Sequence, residues 1–211
     1  MSWDRPVAWE VRKRVELGRG RVSAFVDETI ATPSGEVIAR QYLTHPGAVA
    51  VVCWDEEHDT IAVVRQYRHP VRAMLWEVPA GLLDVPGEEP LVAAQRELAE
   101  ETDFAAARWD VLVDFYASPG FTTEGARSYL ARDLRLLPPS ERVEREAEEA
   151  EFVPTWFRLD DVLDAVMAGR LHNPSTVVGV LAAARARSSG WAGLRPIDAG
   201  WLRSPRSLRA G

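Results

Sequence analysis

Loosely alternating apolar and polar positions fill the first third of the chain. Residues 11–17 and 21–31 are rich in β-branched side chains, TPSG at 32–35 is a turn signal, and EVIARQYLTH at 36–45 reads as a returning strand. The texture then changes. GAVAVVCW (47–54) and TIAVVRQY (60–67), joined by DEEHD, predict a second hairpin with more deeply buried strands. LWEVPAG (75–81) is a short strand running into the Gly/Pro-punctuated loop GLLDVPGEEP. Pro90 stands at a first helical position, and Leu91, Ala94 and Leu98 carry a helix to Thr102. WDVLVDFYASPGF (109–121) and ARSYLARDL (126–134) are strand-like again, and 138–152 is an acidic loop or short helix. A strand over 153–159 leads to a helix ended by Gly169 and a last helix over 173–187, capped by Asn173 or Ser175. From 188 to 211 the chain is Gly, Ser, Pro and Arg with scattered Trp, the composition of a mobile tail. Hairpins, one helix, more strands and two helices make an α+β order, not alternating βαβ.

Composition narrows the class without choosing a function. At 211 residues, 46% hydrophobic and 27% charged, the chain suits one core-forming domain with a small appendage. A net charge of −7 gives no global reason to expect nucleic acid or an anionic membrane surface as partner. No apolar run reaches the roughly 18 residues of a membrane span, and the N-terminus lacks a signal-peptide pattern, so a cytoplasmic protein is expected. The single cysteine, Cys53, lies in an apolar run and reads as a buried small side chain. His45, His58, His69 and His172 are scattered without ligand spacing, and no phosphate-binding glycine loop occurs.

Chemistry concentrates in RELAEETDF, residues 96–104. At about 100° per residue, Glu97, Glu100 and Glu101 share roughly 100° of one helix surface. Like charges at such spacing repel by a few tenths of a kcal/mol per pair. A bound hard cation such as Mg²⁺ would remove that cost, since it takes oxygen ligands including carboxylates. A solvated acidic face, with Arg96 pairing to Glu100, is the plain alternative.

Gly81, Glu88 and the run Arg96-Glu97-Leu98-Ala99-Glu100-Glu101 together resemble the Nudix box, G-x5-E-x7-R-E-U-x-E-E-x-G-U with U aliphatic. Two departures stand out: six residues separate Gly81 from Glu88, so the loop bulges near 85–87, and Asp103 replaces the last glycine. Asp takes the left-handed conformation that ends a helix more readily than most residues. The resemblance implies the Nudix fold, a mixed β-sheet between helices, over 46–187, with a small N-terminal antiparallel sheet over 1–45 and the tail at 188–211. It further implies Mg²⁺, with Mn²⁺ a substitute, held by Glu97, Glu101, Glu100 and the Ala80 carbonyl. Gly81, Glu88 and Arg96 take structural roles in the box.

Pro119, fifteen residues after Phe104, and the stretch RQYRHPVRAMLWEVPAGLLD are similar to the ADP-ribose pyrophosphatase subfamily, most closely its actinobacterial type. That likeness implies hydrolysis of ADP-ribose or a related ADP-sugar to AMP and a sugar phosphate. Arg68 would then contact the diphosphate, with Glu77 and Leu82 weaker substrate contacts; Glu77 also reads as an outward strand residue. The general base would come from the acidic loop, Glu149 first, then Glu151, with Glu148 open. A homodimer built through the N-terminal strands is expected, with Trp9 or Phe25 stacking on adenine or merely packing. A Nudix enzyme for another nucleoside diphosphate derivative and a non-catalytic ADP-ribose sensor are the competing expectations.

Overall fold

The computed structural model describes residues 3–143 and 153–202. They divide into two compact units: one takes the residues up to Gly47 with 116–125 and 200–202, the other 48–115 and 126–199.

In the first unit, β1 (Glu10–Arg19), β2 (Ala24–Ala31) and β3 (Val37–Thr44) form an antiparallel sheet in that order. The 32–35 turn closes through Gly35 N–H donating to the Thr32 carbonyl at 2.9 Å, with Gly35 at φ +88, where a side chain would be strained. β2 buries Ala24, Val26 and Ala31, whereas all ten residues of β1 are exposed. Loop 116–125, which holds Pro119, is tied to β3 by Leu43 N–H to Phe121 O and Thr123 N–H to Leu43 O, both 2.9 Å.

The second unit is built on β4 (Ala48–Asp55), buried along almost its whole length. β5 (Thr60–Arg68) returns antiparallel to it but pairs only at the hairpin end. Into the gap where the two strands part comes the segment expected as one strand at 75–81. It is two: β6 (Ala73–Glu77) pairs with β5, then β7 (Ala80–Leu82) pairs with β4. After α1 (Pro90–Thr102) come β8 (Phe104–Tyr116) and β9 (Gly125–Leu136), and β9 runs parallel to β4. β10 (Thr155–Arg158) joins the far edge of β5, and α2 (Leu159–Met167) and α3 (Pro174–Ser188) follow. The main path of the mixed sheet is β10-β5-β4-β9-β8.

Alternation along β4 decides what covers each face. Ala50, Val52 and Trp54 join Leu159, Val162, Val180 and Ala183 in one core beneath α2 and α3. Val49, Val51 and Cys53 are therefore left for the opposite face, against which α1 packs. Both faces of the sheet carry helices, the arrangement expected for this domain. Burial pushes the Cys53 thiol well above its ordinary value, so it stays an inert packing group.

Residues 188–199 of the expected tail belong to the second unit. Trp191 packs on Trp54 with ring centroids 4.5 Å apart, and Leu194 joins the same core. Arg195 pairs backbone-to-backbone with Val111, capping part of the β8 edge. Apolar area removed from water, and an edge strand given a partner, hold this stretch in place. Residues 203–211 of that expectation lie outside the described residues.

Candidate active site

The acidic helix starts without a side-chain cap. Glu89 is its N-cap in an extended conformation, and Pro90 follows at the first turn, where a missing N–H costs nothing. It ends where Asp103 adopts φ 62, donating its N–H to the Ala99 carbonyl at 3.0 Å. The replacement of the box glycine by aspartate is thus accommodated by a left-handed C-cap. Ala93, Ala94, Leu98, Glu101 and Thr102 form the buried side of α1. The extra loop residue is absorbed in a turn at the expected place: Glu88 N–H donates to the Val85 carbonyl at 3.2 Å, and Gly87 sits at φ +84.

Arg96 organises the carboxylates. Its Nε and one terminal nitrogen grip both oxygens of Glu88, at 3.0 and 3.1 Å. The other terminal nitrogen reaches Glu97 at 2.7 Å and Glu100 at 3.0 Å. The Glu88 hydrogen bonds, helped by Glu97 and Glu100, hold the guanidinium charged far above its already high ordinary value. The simple surface pairing of Arg96 with Glu100 is therefore one arm of a larger, half-buried network.

Gly81 is a glycine for reasons of space. Its φ is not in the left-handed region, but a Cβ there would fall 1.9 Å from Glu97 Oε1 and 2.0 Å from Cδ. The Glu97 carboxylate lies in the room that a side chain would fill. β7 thus brings Gly81, and Ala80 beside it, against the acidic face of α1.

Among the described residues, no three His, Cys, Asp or Glu side chains already form a ready metal site. The geometry gives a reason: Glu97 and Glu100 are drawn onto the Arg96 guanidinium. The donor set still fits a hard divalent cation. It is all oxygen, it puts a buried Glu101 beside Glu97 and Glu100, and it offers the glycine cradle at Gly81.

Arg68 and Glu77 meet on adjoining strands. Arg68 Nε and a terminal nitrogen donate to the two Glu77 oxygens at 2.8 and 2.6 Å. Glu77 is 2% exposed, so it is not the outward strand residue that the alternation allowed. The Arg68 side chain, by contrast, is 42% exposed. Leu82 ends β7 opposite Ala48. Glu148, Glu149 and Glu151 lie outside the described residues. The sequence marked Arg68 and Glu77 separately and missed that they are partners, because the turn at 69–72 that folds β6 back onto β5 carries neither Gly nor Asn at its left-handed position, Arg72.

A model of the NUDIX domain matches residues 44–175. The chain is 39% identical over 194 residues to the ADP-ribose pyrophosphatase of Mycobacterium tuberculosis, covering 92% of this chain and 91% of that one. It is 36% identical over 166 residues to the ADP-ribose pyrophosphatase of Bacillus subtilis, covering 78% and 86%. Among solved structures, the crystal structure of an ADP compounds hydrolase shares the fold at a TM-score of 0.70 with 18% identity, over 91% of this chain and 100% of that one.

Proposed function

This chain belongs to the NUDIX domain family, and we propose that it hydrolyses the diphosphate of ADP-ribose or a related ADP-sugar. Water adds across the bridging P–O–P bond, so the products are AMP and the sugar phosphate, ribose 5-phosphate in the case of ADP-ribose. One observation carries the reading. The acidic cluster around Arg96 is intact in a chain that matches an ADP-ribose pyrophosphatase along 92% of its length.

Glu97, Glu100, Glu101 and the Ala80 carbonyl would hold Mg²⁺, with Mn²⁺ able to replace it. When bound, the cation neutralises the diphosphate and lowers the pKa of the attacking water. Arg96 and Glu88 fasten the loop to the helix and fix the direction from which the carboxylates approach. Gly81 keeps the place of the Glu97 carboxylate open. Arg68 presents a forked donor suited to a diphosphate, and Glu77 orients that fork through its bidentate bond. Glu77 therefore serves the substrate through Arg68, and Leu82 is the weaker substrate contact. Glu149 takes the proton from water, with Glu151 the second choice, which requires hydrogen-bond reach of the nucleophile.

The working unit is a homodimer. Trp9, Val11, Val15 and Leu17 are exposed on and beside β1, a run of apolar side chains that a second copy would remove from water. Light scattering at micromolar concentration tests this, and a monomeric mass overturns it.

The primary test is AMP release from ADP-ribose by the purified protein, with and without Mg²⁺, beside GDP-mannose as a competitor substrate. Metal-dependent release favouring ADP-ribose is expected. Equal rates across nucleotide sugars would sink the substrate assignment, and tight ADP-ribose binding without release would make the protein a sensor.

A further inference from the structure

The segment between Glu77 and Ala80 is where the chain leaves β5 and joins β4. Glu77 is the last residue of β6 paired with β5, opposite Val64, and Ala80 the first of β7 paired with β4, opposite Ala50. Two residues bridge the switch. Pro79 has no N–H, and its carbonyl accepts from Val51 N–H at 2.8 Å. Val78 is 1% exposed and does have an N–H, which falls outside both ladders. A buried backbone N–H needs an acceptor. Here the acceptor comes from a helix: Val78 N–H donates to Thr176 Oγ1 at 3.0 Å.

Thr176 is fully buried in the first turn of α3. Its own hydroxyl proton has two acceptors at 3.3 Å, the Trp76 carbonyl and Asn173 Oδ1. Asn173 is the N-cap of α3 and accepts the Thr176 N–H at 3.0 Å. One hydroxyl therefore contacts the backbone on both sides of Glu77 and joins it to the capped end of a helix.

We propose that Thr176 is a positioning residue: its hydroxyl supplies the hydrogen bond that the strand switch at Val78 lacks, and so sets Glu77 on one side and Ala80 on the other. This rests on the roles given above to Glu77 and Ala80. The ladders to β5 and β4 fix the two flanks, and among the described residues it is Thr176 that bonds to the Val78 amide between them. Loss of that bond leaves Ala80 held by the ladder to β4 without the anchor from α3. It also lets the Glu77 carboxylate shift beneath Arg68.

The test compares Thr176→Val, nearly isosteric but without the hydroxyl, with Thr176→Ser, which keeps it. Val180→Ala, a core truncation in the same helix, is the stability control. Mn²⁺ affinity by electron paramagnetic resonance, exchange of the Val78 amide, and the steady-state constants for ADP-ribose are read together. Thr176→Val should weaken Mn²⁺ binding roughly tenfold, as loss of an orienting partner does, and should unprotect the Val78 amide. It should also lower kcat more than thermal stability alone explains, and Thr176→Ser should restore all three. Val180→Ala should lower Tm while leaving Mn²⁺ affinity unchanged. If Thr176→Val and Val180→Ala lose Tm alike and both keep wild-type Mn²⁺ affinity, the hydroxyl is only structural and the proposal is wrong. A wild type that binds Mn²⁺ but leaves ADP-ribose uncleaved would defeat the substrate reading alone, since the Mn²⁺ and exchange comparisons still decide the role of Thr176.

Discussion

Two arginine clusters in the second unit use the same forked geometry with opposite balances of charge. Around Arg96 stand three acids, Glu88, Glu97 and Glu100, with Glu101 a fourth on the same helix. On β8 and β9 the ratio is reversed. Asp114 takes two bonds from Arg127, at 2.7 and 3.0 Å, and one from Arg195 at 2.8 Å. Arg127 is also bound to the Ala199 carbonyl at 3.0 Å, and its side chain is only 5% exposed. The second cluster fastens the segment after α3 to the sheet. The first keeps a surplus of negative charge that one guanidinium does not neutralise. A network built to hold can be closed by its own residues, whereas one proposed to take a cation has to be left over-acidic.

Removing one acid from each cluster should give opposite phenotypes. Glu97→Gln should lower turnover of ADP-ribose on the order of 10³-fold, since the proposed cation site would lose a carboxylate and such a site would supply several kcal/mol. Its urea midpoint should stay near wild type, because relief of like-charge repulsion on α1 offsets loss of the charge paired with Arg96. Near-normal turnover would remove Glu97 from the metal set. Asp114→Asn should instead cost about 3 kcal/mol of stability, as expected for a buried pair broken from one side. Its KM and metal dependence should not move, and a kinetic defect without a stability defect would break the comparison.

A smaller effect probes the space rather than the charge. Gly81→Ala should lower kcat about tenfold, because an oriented carboxylate displaced by a methyl group loses much of its positioning advantage. Full activity would mean that Glu97 has another productive position. The smallest effect concerns a third cluster. Asp59 ties the β4–β5 turn to α3 through Arg187 at 2.5 Å and to the Trp54 indole at 3.1 Å. Burial opposes ionisation of Asp59, but those bonds and the charges of Arg187 and Arg158 outweigh it and hold its carboxyl below the ordinary value. A depressed carboxyl pKa stabilises the fold above the unfolded value, near 4, and that stability is lost as pH falls through the folded value. Asp59→Asn should therefore cost about 1 kcal/mol at pH 7 and flatten the acid limb of a stability-against-pH curve. An unchanged limb would show the ion pair to be inert.

Local order is legible in the chain itself. Pro90 and Asp103 bracket α1 as their backbone preferences require, and Asn173 caps α3 by accepting from Thr176 N–H. The spacing of Gly81, Glu88 and the 96–101 run points to the cluster around Arg96, because a helix and the short loop before it bring such residues together with few choices. The exposure of β1 is less legible, since its β-branched and charged residues suit a covered or an open strand equally.

What the sequence by itself determined was which residues share a face and which turn ends an element, because those follow from backbone geometry over a few positions. Tertiary structure decided which strand each segment pairs with. It split 75–81 between β5 and β4, laid β9 parallel to β4, and buried Glu77 beneath Arg68. It also brought Thr176 to an amide 98 residues away. A buried N–H must find an acceptor wherever the folded chain supplies one, and no period or spacing along the sequence records where that will be.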